Sequence, residues 1–426
     1  MTLSGRQWTW IAVVAIALGL VLRMVWTLVL HQPFDHVYSD MAGYVDRATG
    51  LVETGQLERY DAFYPPGVHL LLAVPLWSFG ADQSGLWAAA VLWAVLSSLT
   101  PFFMWRLTYV LLTPAAAALT AVLTALWPLH ITSAGYFLSE TPSLTFLVAS
   151  LAVGYEAGRS SGREAIVLAA LAGLLGAAAV AMRPQFFLNL LVLAIPWLWA
   201  WRRRFQPLLA FVAAGAVIGA AVIAYNSVAA GKLTGVSENS GLTYFLGHCD
   251  ARSVRTGTEP GPIFEFGAPV AAQRGTGRRY VFPDQDAWDQ GFFFRQAADC
   301  IREDGVGHVR ILGRSLLEMT ATTVIWPQSN EPRLKEVVNY TNVAYSLLLP
   351  VIVIGAIVLA RRRPGGWWTS ETILLAHLAC AFVMAVIFFG DPRFRMPYDV
   401  FGLAIIAALV AYWFFDPKPD EEGVRA

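Results

Sequence analysis

Apolar stretches long enough to cross a lipid bilayer recur along the whole of this chain, near residues 8–30, 85–105, 114–136, 140–157, 165–182, 185–201, 207–228, 338–360, 371–389 and 397–415. A span needs about 20 residues of helix. In hydrocarbon every backbone N–H and C=O must find a partner inside the element, which leaves the α-helix for segments of this length. The pattern predicts an all-α polytopic membrane protein of about 10 transmembrane helices. Composition agrees, because 56% of the 426 residues are hydrophobic and only 14% charged, too apolar for a chain that must cover its core with polar surface. The formal net charge is zero, so no overall field draws the chain to nucleic acid, and no such partner is expected.

The first apolar run, Trp8 to Leu30, exceeds a signal-peptide core and has no small-residue cleavage site, so it reads as a retained span. The run from Gly67 to Phe79 is shorter and bounded by Pro65-Pro66 and Gly80, which suits a helix lying in the membrane interface. Basic residues in short loops mark the cytoplasmic side. With the N-terminus inside, Arg6, Arg106, Arg159 with Arg163, Arg202-Arg203-Arg204, Arg361-Arg362-Arg363 and Lys418 with Arg425 all fall on that side. Both termini are therefore expected in the cytoplasm, with the functional face outside the cytoplasmic (inner) membrane of a bacterium. The acidic tail Asp416 to Glu422 reads as a solvated cytoplasmic end.

Within this single membrane domain, 1–426, two outer segments remain: a first loop over 31–66, continuing through its interfacial helices to residue 83, and a large segment over 229–337. The large one is punctuated by Gly and Pro from Gly257 to Pro283, then carries apolar residues at helical spacing from Asp284 to Thr323. It reads as loop followed by two short helices. Cys249 and Cys300 both lie in it, where an oxidising compartment permits a disulfide; two separate buried thiols are the alternative. Cys380 falls in a span, and three cysteines make no metal spacing.

Several polar residues stand at the outer ends of spans. Asp40 opens just past the first one, where a carboxylate is placed to take a proton from a hydroxyl, and Tyr44 follows four residues later on the same helical face. Ser39 or Asp40 before a helix is equally a good N-cap. Glu140, in Ser139-Glu140-Thr141-Pro142, stands at the mouth of a span: Ser139 suits a cap and Glu140 the helix dipole, while a second acid facing the cavity of Asp40 would be functional. Arg183-Pro184 interrupts a hairpin of two spans, and its guanidinium either snorkels to headgroups or holds a lipid phosphate. The same choice applies to Arg393 and Arg395, which with period two around Phe394 are expected to present both guanidiniums to one side, with Asp391 neutralising one. In the large segment, Asn239 and His248 lie in a run of small, amide and aromatic residues suited to a sugar or phosphate, although His248 alone reads more readily as structural. No nucleotide-phosphate loop, zinc spacing, nucleophile elbow or dinucleotide fingerprint is present.

Asp40, the Tyr64-Pro65-Pro66-Gly67 run, Ser139 to Pro142, Arg183-Pro184 and Arg393-x-Arg395-x-Pro397, in this order and placement, resemble the GT-C superfamily of membrane glycosyltransferases, within it the protein O-mannosyltransferase and lipid A aminoarabinose transferase branch. The resemblance covers nearly the whole chain. It implies inverting transfer of one sugar from a polyprenyl-phosphate carrier to a lipid, glycan or protein hydroxyl at the outer membrane face. Asp40 would be the general base and Glu140 would orient acceptor or sugar. Arg183, Arg393 and Arg395 would hold the departing phosphate, with Tyr44, Tyr64, Asn239 and His248 as further substrate contacts. No cofactor is expected, though Asp40 and Glu140 are of a type that shares a divalent ion. The chain departs from both branches: Met41 follows Asp40 where the mannosyltransferases have Glu, and Tyr64 stands where the aminoarabinose transferases have Lys, so neither acceptor carries over. The rival readings are a lipid or lipid-linked sugar flippase, which the position of the charges at span ends disfavours, and an O-antigen-type polymerase or ligase.

Overall fold

The computed structural model describes residues 3–199, 201–257, 264–267, 277–323, 325–362 and 369–416, with backbone alone for 201–204. Arg363, Lys418, Arg425 and the acidic tail beyond Asp416 lie outside the described residues, as do the side chains of Arg202-Arg203-Arg204 and parts of the Gly257–Pro283 stretch.

All ten apolar stretches are helical. Among the described residues seven helices are long and apolar enough to cross a membrane: Gly5–Leu30, Gln83–Leu111, Gly162–Met182, Phe205–Ala230, Pro332–Arg362, Ser370–Ile387 and Pro392–Phe414. The chain is thus a multi-pass membrane protein. The other three stretches differ in ways the sequence explains. Pro128 splits one into α5 (Pro114–Leu126) and α6 (Pro128–Ser133), since proline removes a donor and clashes with the preceding turn. The second, α7 (Glu140–Arg159), carries Ser, Thr and Glu and is mostly buried among other helices. The third, α9 (Phe187–Trp199), has only 13 residues.

The helices before α5 are α1 (Gly5–Val25), α2 (Asp40–Thr54), α3 (Gly67–Phe79) and α4 (Gln83–Leu111). Those after α7 are α8 (Gly162–Met182) and α10 (Trp201–Ala230), which flank α9. Alanine-rich α5 buries Ala115 to Ala118, Ala121 and Ala125, which lets its backbone approach α1 closely. Arg23 of α1 is fully buried there; it donates to Ser97 Oγ of α4 (2.9 Å) and to the carbonyls of Ala125 (2.7 Å) and Thr124 (3.1 Å), tying three helices together.

The segment 229–337, read from the sequence as the large outer one, contains more than a loop and two helices. It begins with α11 (Ser240–His248), continues as a sheet of β1 (Ala251–Thr256), β2 (Phe264–Gly267) and β3 (Arg278–Phe282), and ends in α12 (Gln290–Asp304) and α13 (Val309–Glu318). The central β1 pairs antiparallel with β2 and parallel with β3. Phe245, Val254, Phe293 and Ala297 form its core, joined by Phe63 from the first outer loop. Cys249 and Cys300 are bonded, with Cα atoms 5.4 Å apart, fixing α11 to α12.

The last helices are α14 (Pro332–Arg362), α15 (Ser370–Ile387), the single turn α16 (Pro392–Arg395) and α17 (Asp399–Phe414). Glycines set how closely the outer segment sits on the turn between α15 and α16. A Cβ on Gly247 would collide with the Phe388 carbonyl, and one on Gly390 with the Ser315 carbonyl. Phe388 and Phe389 of this turn line a space that residues of 31–83 and 229–337 also border.

Candidate active site

That space is a cavity of about 490 Å³. Asp40, Tyr64, Arg183, Asn239 and Arg393 line its polar side, and Met384, Phe388 and Phe394 its apolar side. Asp40 is the first residue of α2. Ser39 before it makes no side-chain cap and holds φ at 52°, a left-handed conformation that costs an L-residue energy and is found where a site demands it. The carboxylate therefore faces the cavity instead of capping its own helix. Its Oδ1 accepts from the Tyr64 hydroxyl (3.3 Å) and its Oδ2 from Arg393 Nη1 (3.1 Å).

Glu140 is the first residue of α7, is 3% exposed, and lies where the helix dipole favours an anion. Two arginines from other elements reach it: Arg393 through Nε, and Arg183 through Nη2 at 3.4 Å. Arg393 also lies 4.5 Å over the Trp326 ring, and Arg183 is 5.4 Å from the Phe394 ring. Two carboxylates and two guanidiniums form one connected wall, with Arg393 in the middle. A divalent ion shared by Asp40 and Glu140 would have to displace that guanidinium. Nη1 of Arg183 is buried and has no hydrogen-bond partner among the described residues, which leaves a strong donor for an anion in the cavity.

Tyr44 and Tyr64 pack with tilted rings, 5.7 Å between centroids, beside Asp40. Burial, followed by the neighbouring Asp40 charge, pushes the Tyr44 hydroxyl up to about 12 and that of Tyr64 well above its usual value, so both stay protonated and Tyr64 remains a donor to Asp40. Under them lies a residue the sequence reading missed. Arg47 is buried with its guanidinium 5.2, 5.5 and 5.1 Å from the rings of Tyr44, Tyr60 and Tyr64, and it donates to the Gly43 carbonyl at 2.7 Å. The signal was available: Asp40, Tyr44 and Arg47 share one helical face.

Beside Arg183 a second, almost wholly apolar cavity of about 440 Å³ runs between α8, α9 and α10, lined by residues such as Ala181, Leu190, Phe211 and Val222. Val236 borders both cavities, so the apolar groove adjoins the first cavity there, and Ala181, two residues before Arg183 in the chain, lines the groove.

By sequence, no protein-family model and no curated protein matches the chain. Solved structures do. The apo oligosaccharyltransferase of Archaeoglobus fulgidus superposes with a TM-score of 0.55 at 14% identity, over 97% of this chain and 52% of that one. The same archaeal enzyme in complex with an inhibitory peptide and a dolichol-phosphate gives 0.53 at 14%, over 98% and 51%. ArnT of Cupriavidus metallidurans bound to undecaprenyl phosphate gives 0.51 at 14%, over 97% and 61%. The chain has the GT-C fold. It spans about half the length of the archaeal enzyme.

Within this GT-C fold, the residues expected from sequence separate into two groups. Asp40, Tyr44, Tyr64, Glu140, Arg183 and Arg393 come together as described, and Asn239 borders the cavity, accepting from Ser237 Oγ at 3.0 Å. His248 and Arg395 do not join them. His248 is held between the His308 ring (2.9 Å) and the Ile387 carbonyl (2.8 Å), pinning α11 against the end of α15. Arg395 is fully buried, donating to Asp399 (3.0 Å), Asn342 (2.7 Å), Ser346 (3.0 Å) and the Met319 carbonyl (2.7 Å). The expectation that Arg393 and Arg395 face one way assumed extended backbone. The segment is a helical turn, where residues two apart point about 200° apart, and Asp391 caps it by accepting from the Arg393 backbone N–H at 2.7 Å.

Proposed function

We propose that the chain is an inverting glycosyltransferase that moves one sugar from a polyprenyl-phosphate carrier to an acceptor hydroxyl at the extracytoplasmic membrane face. The observation that carries this reading is the buried Arg183 guanidinium, with a spare donor, in the wall of a cavity that Asp40 also lines and that an apolar groove adjoins at Val236. A molecule with a phosphate between a sugar and a long hydrocarbon chain matches that sequence of environments. The archaeal structure with dolichol-phosphate and the ArnT structure with undecaprenyl phosphate share the fold and carry ligands of this class.

In this mechanism the isoprenoid lies along α8 and α10, and the carrier phosphate meets Arg183. Asp40 takes the proton of the acceptor hydroxyl, whose oxygen attacks the anomeric carbon from the face opposite the phosphate. The bond from that carbon to the phosphate oxygen breaks and its electron pair leaves on the polyprenyl phosphate, where Arg183 and Arg393 stabilise the growing negative charge. Glu140, between the two arginines, fixes their positions. Tyr64 and Arg393 keep Asp40 turned into the cavity. An enzyme facing outward has no nucleotide-sugar supply, and a lipid-linked donor answers that constraint.

The test is transfer of labelled sugar from a panel of polyprenyl-phosphate sugars by wild type and Asp40→Asn, with carrier binding measured in parallel. Wild type should transfer, and Asp40→Asn should bind carrier with at least about 100-fold lower turnover. Equal turnover in Asp40→Asn would assign the base elsewhere. If wild type binds no polyprenyl-phosphate sugar, the glycosyltransferase reading fails and the flippase and polymerase readings replace it.

A further inference from the structure

Away from the charged wall, His31, His36 and Glu331 bring two imidazole nitrogens and a carboxylate oxygen within 4.8 Å of one another. Nothing in the proposed transfer uses them. His31 ends the first span, His36 belongs to the first outer loop, and Glu331 immediately precedes α14, so residues about 300 positions apart in sequence meet here.

The hydrogen bonding of His31 decides what the cluster lacks. Its Nδ1 lies 3.1 Å from the Gly135 carbonyl, which only accepts, so Nδ1 carries the hydrogen. In the neutral ring Nε2 is then a bare lone pair. Yet it lies 2.9 and 2.8 Å from the two oxygens of Glu331, acceptor facing acceptors. His36 Nδ1 approaches the same carboxylate at 3.5 Å. The arrangement is stable only with positive charge between nitrogen and oxygen: a proton, or a metal ion.

We infer that His31 Nε2, His36 Nδ1 and Glu331 form a binding site for a divalent transition-metal ion of the Zn²⁺ type. Imidazole nitrogen and carboxylate are its usual donors, and three protein ligands leave one position open. The surroundings are those of a metal-bound histidine: its second nitrogen donates to a backbone carbonyl, which fixes tautomer and ring direction. The His31 ring is stacked by Trp26 at 4.9 Å and by His36 at 3.8 Å, while the Tyr136 hydroxyl donates to Glu331. The two imidazoles are nearly parallel, so closing both nitrogens on one ion takes a turn of the His36 ring, whose side chain is 29% exposed and has room to move.

The ion would join the first outer loop to the start of α14. Two contacts carry that linkage toward the cavity: the Tyr38 hydroxyl donates to the Pro327 carbonyl (3.3 Å), and the neighbouring Trp326 ring supports Arg393. The role is positioning, and it stands apart from the assignment of Asp40 as base.

The experiment is titration of chelator-treated full-length protein in lipid nanodiscs with Co²⁺ and Zn²⁺ at neutral pH, reading calorimetry, the Co²⁺ visible spectrum and the melting midpoint. Wild type and Asp40→Asn should each bind one equivalent with nitrogen ligation and melt higher with metal. Glu331→Gln and His36→Ala should bind at least about 100-fold more weakly and show no metal-induced rise. His36 is half-buried, with its side chain 29% exposed, so His36→Ala is the deciding variant if Glu331→Gln does not fold. Absence of tight binding in wild type overturns the inference in favour of a protonated His31 paired with Glu331. Binding that survives Glu331→Gln and disappears in Asp40→Asn overturns it in favour of an ion at the charged wall.

Discussion

Arg393 and Arg395 lie two positions apart, and their surroundings give them opposite roles. Arg395 has four hydrogen-bond partners and no exposure, and it neutralises the equally buried Asp399. Removing one member of such a pair strands the other charge, so Arg395→Ala should cost about 3–5 kcal/mol, seen as a lower thermal midpoint or loss of folded protein. Arg393 borders the cavity and bridges Asp40 and Glu140. Arg393→Ala should fold, bind the carrier less tightly and lose about 100-fold or more in turnover, since in the proposed transfer it removes a charge that stabilises the departing phosphate. If Arg393→Ala unfolds the protein while Arg395→Ala abolishes only turnover, the two assignments are reversed. Sequence alone presents both as arginines in a short outer turn; the helical turn separates them.

At the scale of elements, the outer segment shows where sequence patterns fade. Helices α12 and α13 were legible because their apolar residues recur every three to four positions. The sheet was not. Its strands have six, four and five residues, exposed arginines interrupt their alternation, and a register irregularity falls between Ala251 and Ser253. The Cys249–Cys300 bridge secures this small unit. It closes a loop of 51 residues, so Cys249→Ser with Cys300→Ser should lower the stability of the outer segment by about 4 kcal/mol in the chain-entropy account. Limited proteolysis should report that loss as faster cleavage within 229–337; unchanged cleavage rates would contradict it. Gly247→Val should separate α11 from the turn whose Phe388 lines the cavity, so in the proposed transfer assay turnover should fall while the melting midpoint changes little.

For the whole molecule, the outer segment docks on the membrane domain partly through His248. Burial pushes this ring below its ordinary value, the carbonyl of Ile387 opposes that, and the facing His308 adds to it; Tyr244 packs on the ring, and Asp304 lies beyond His308. An unfolded histidine takes its proton near pH 6.5, whereas folded His248 does so only at lower pH. Between those values the unfolded state binds more protons, so stability is full above about pH 6.5 and falls as pH drops. The melting midpoint should decline from about pH 7 to about pH 5, and His248→Asn should flatten part of that decline. A wild-type profile level over this range would remove His248 from the docking argument.

The helical nature and order of the apolar stretches, the acid after the first span and the arginine at the α8–α9 turn were readable in the chain, because lipid imposes length and polarity rules that act locally on each segment; the count of spans was not, since about ten were expected and seven of the described helices are long and apolar enough to cross. Tertiary structure decided everything that depends on residues distant in sequence. It set Arg393 between Asp40 and Glu140, joined an apolar groove to the charged cavity at Val236, buried Arg47 under three tyrosines, and brought Glu331 to His31 across 300 positions. Spacing patterns register neighbours on one helix or strand. A site made where helices converge is fixed by packing, which no local period records.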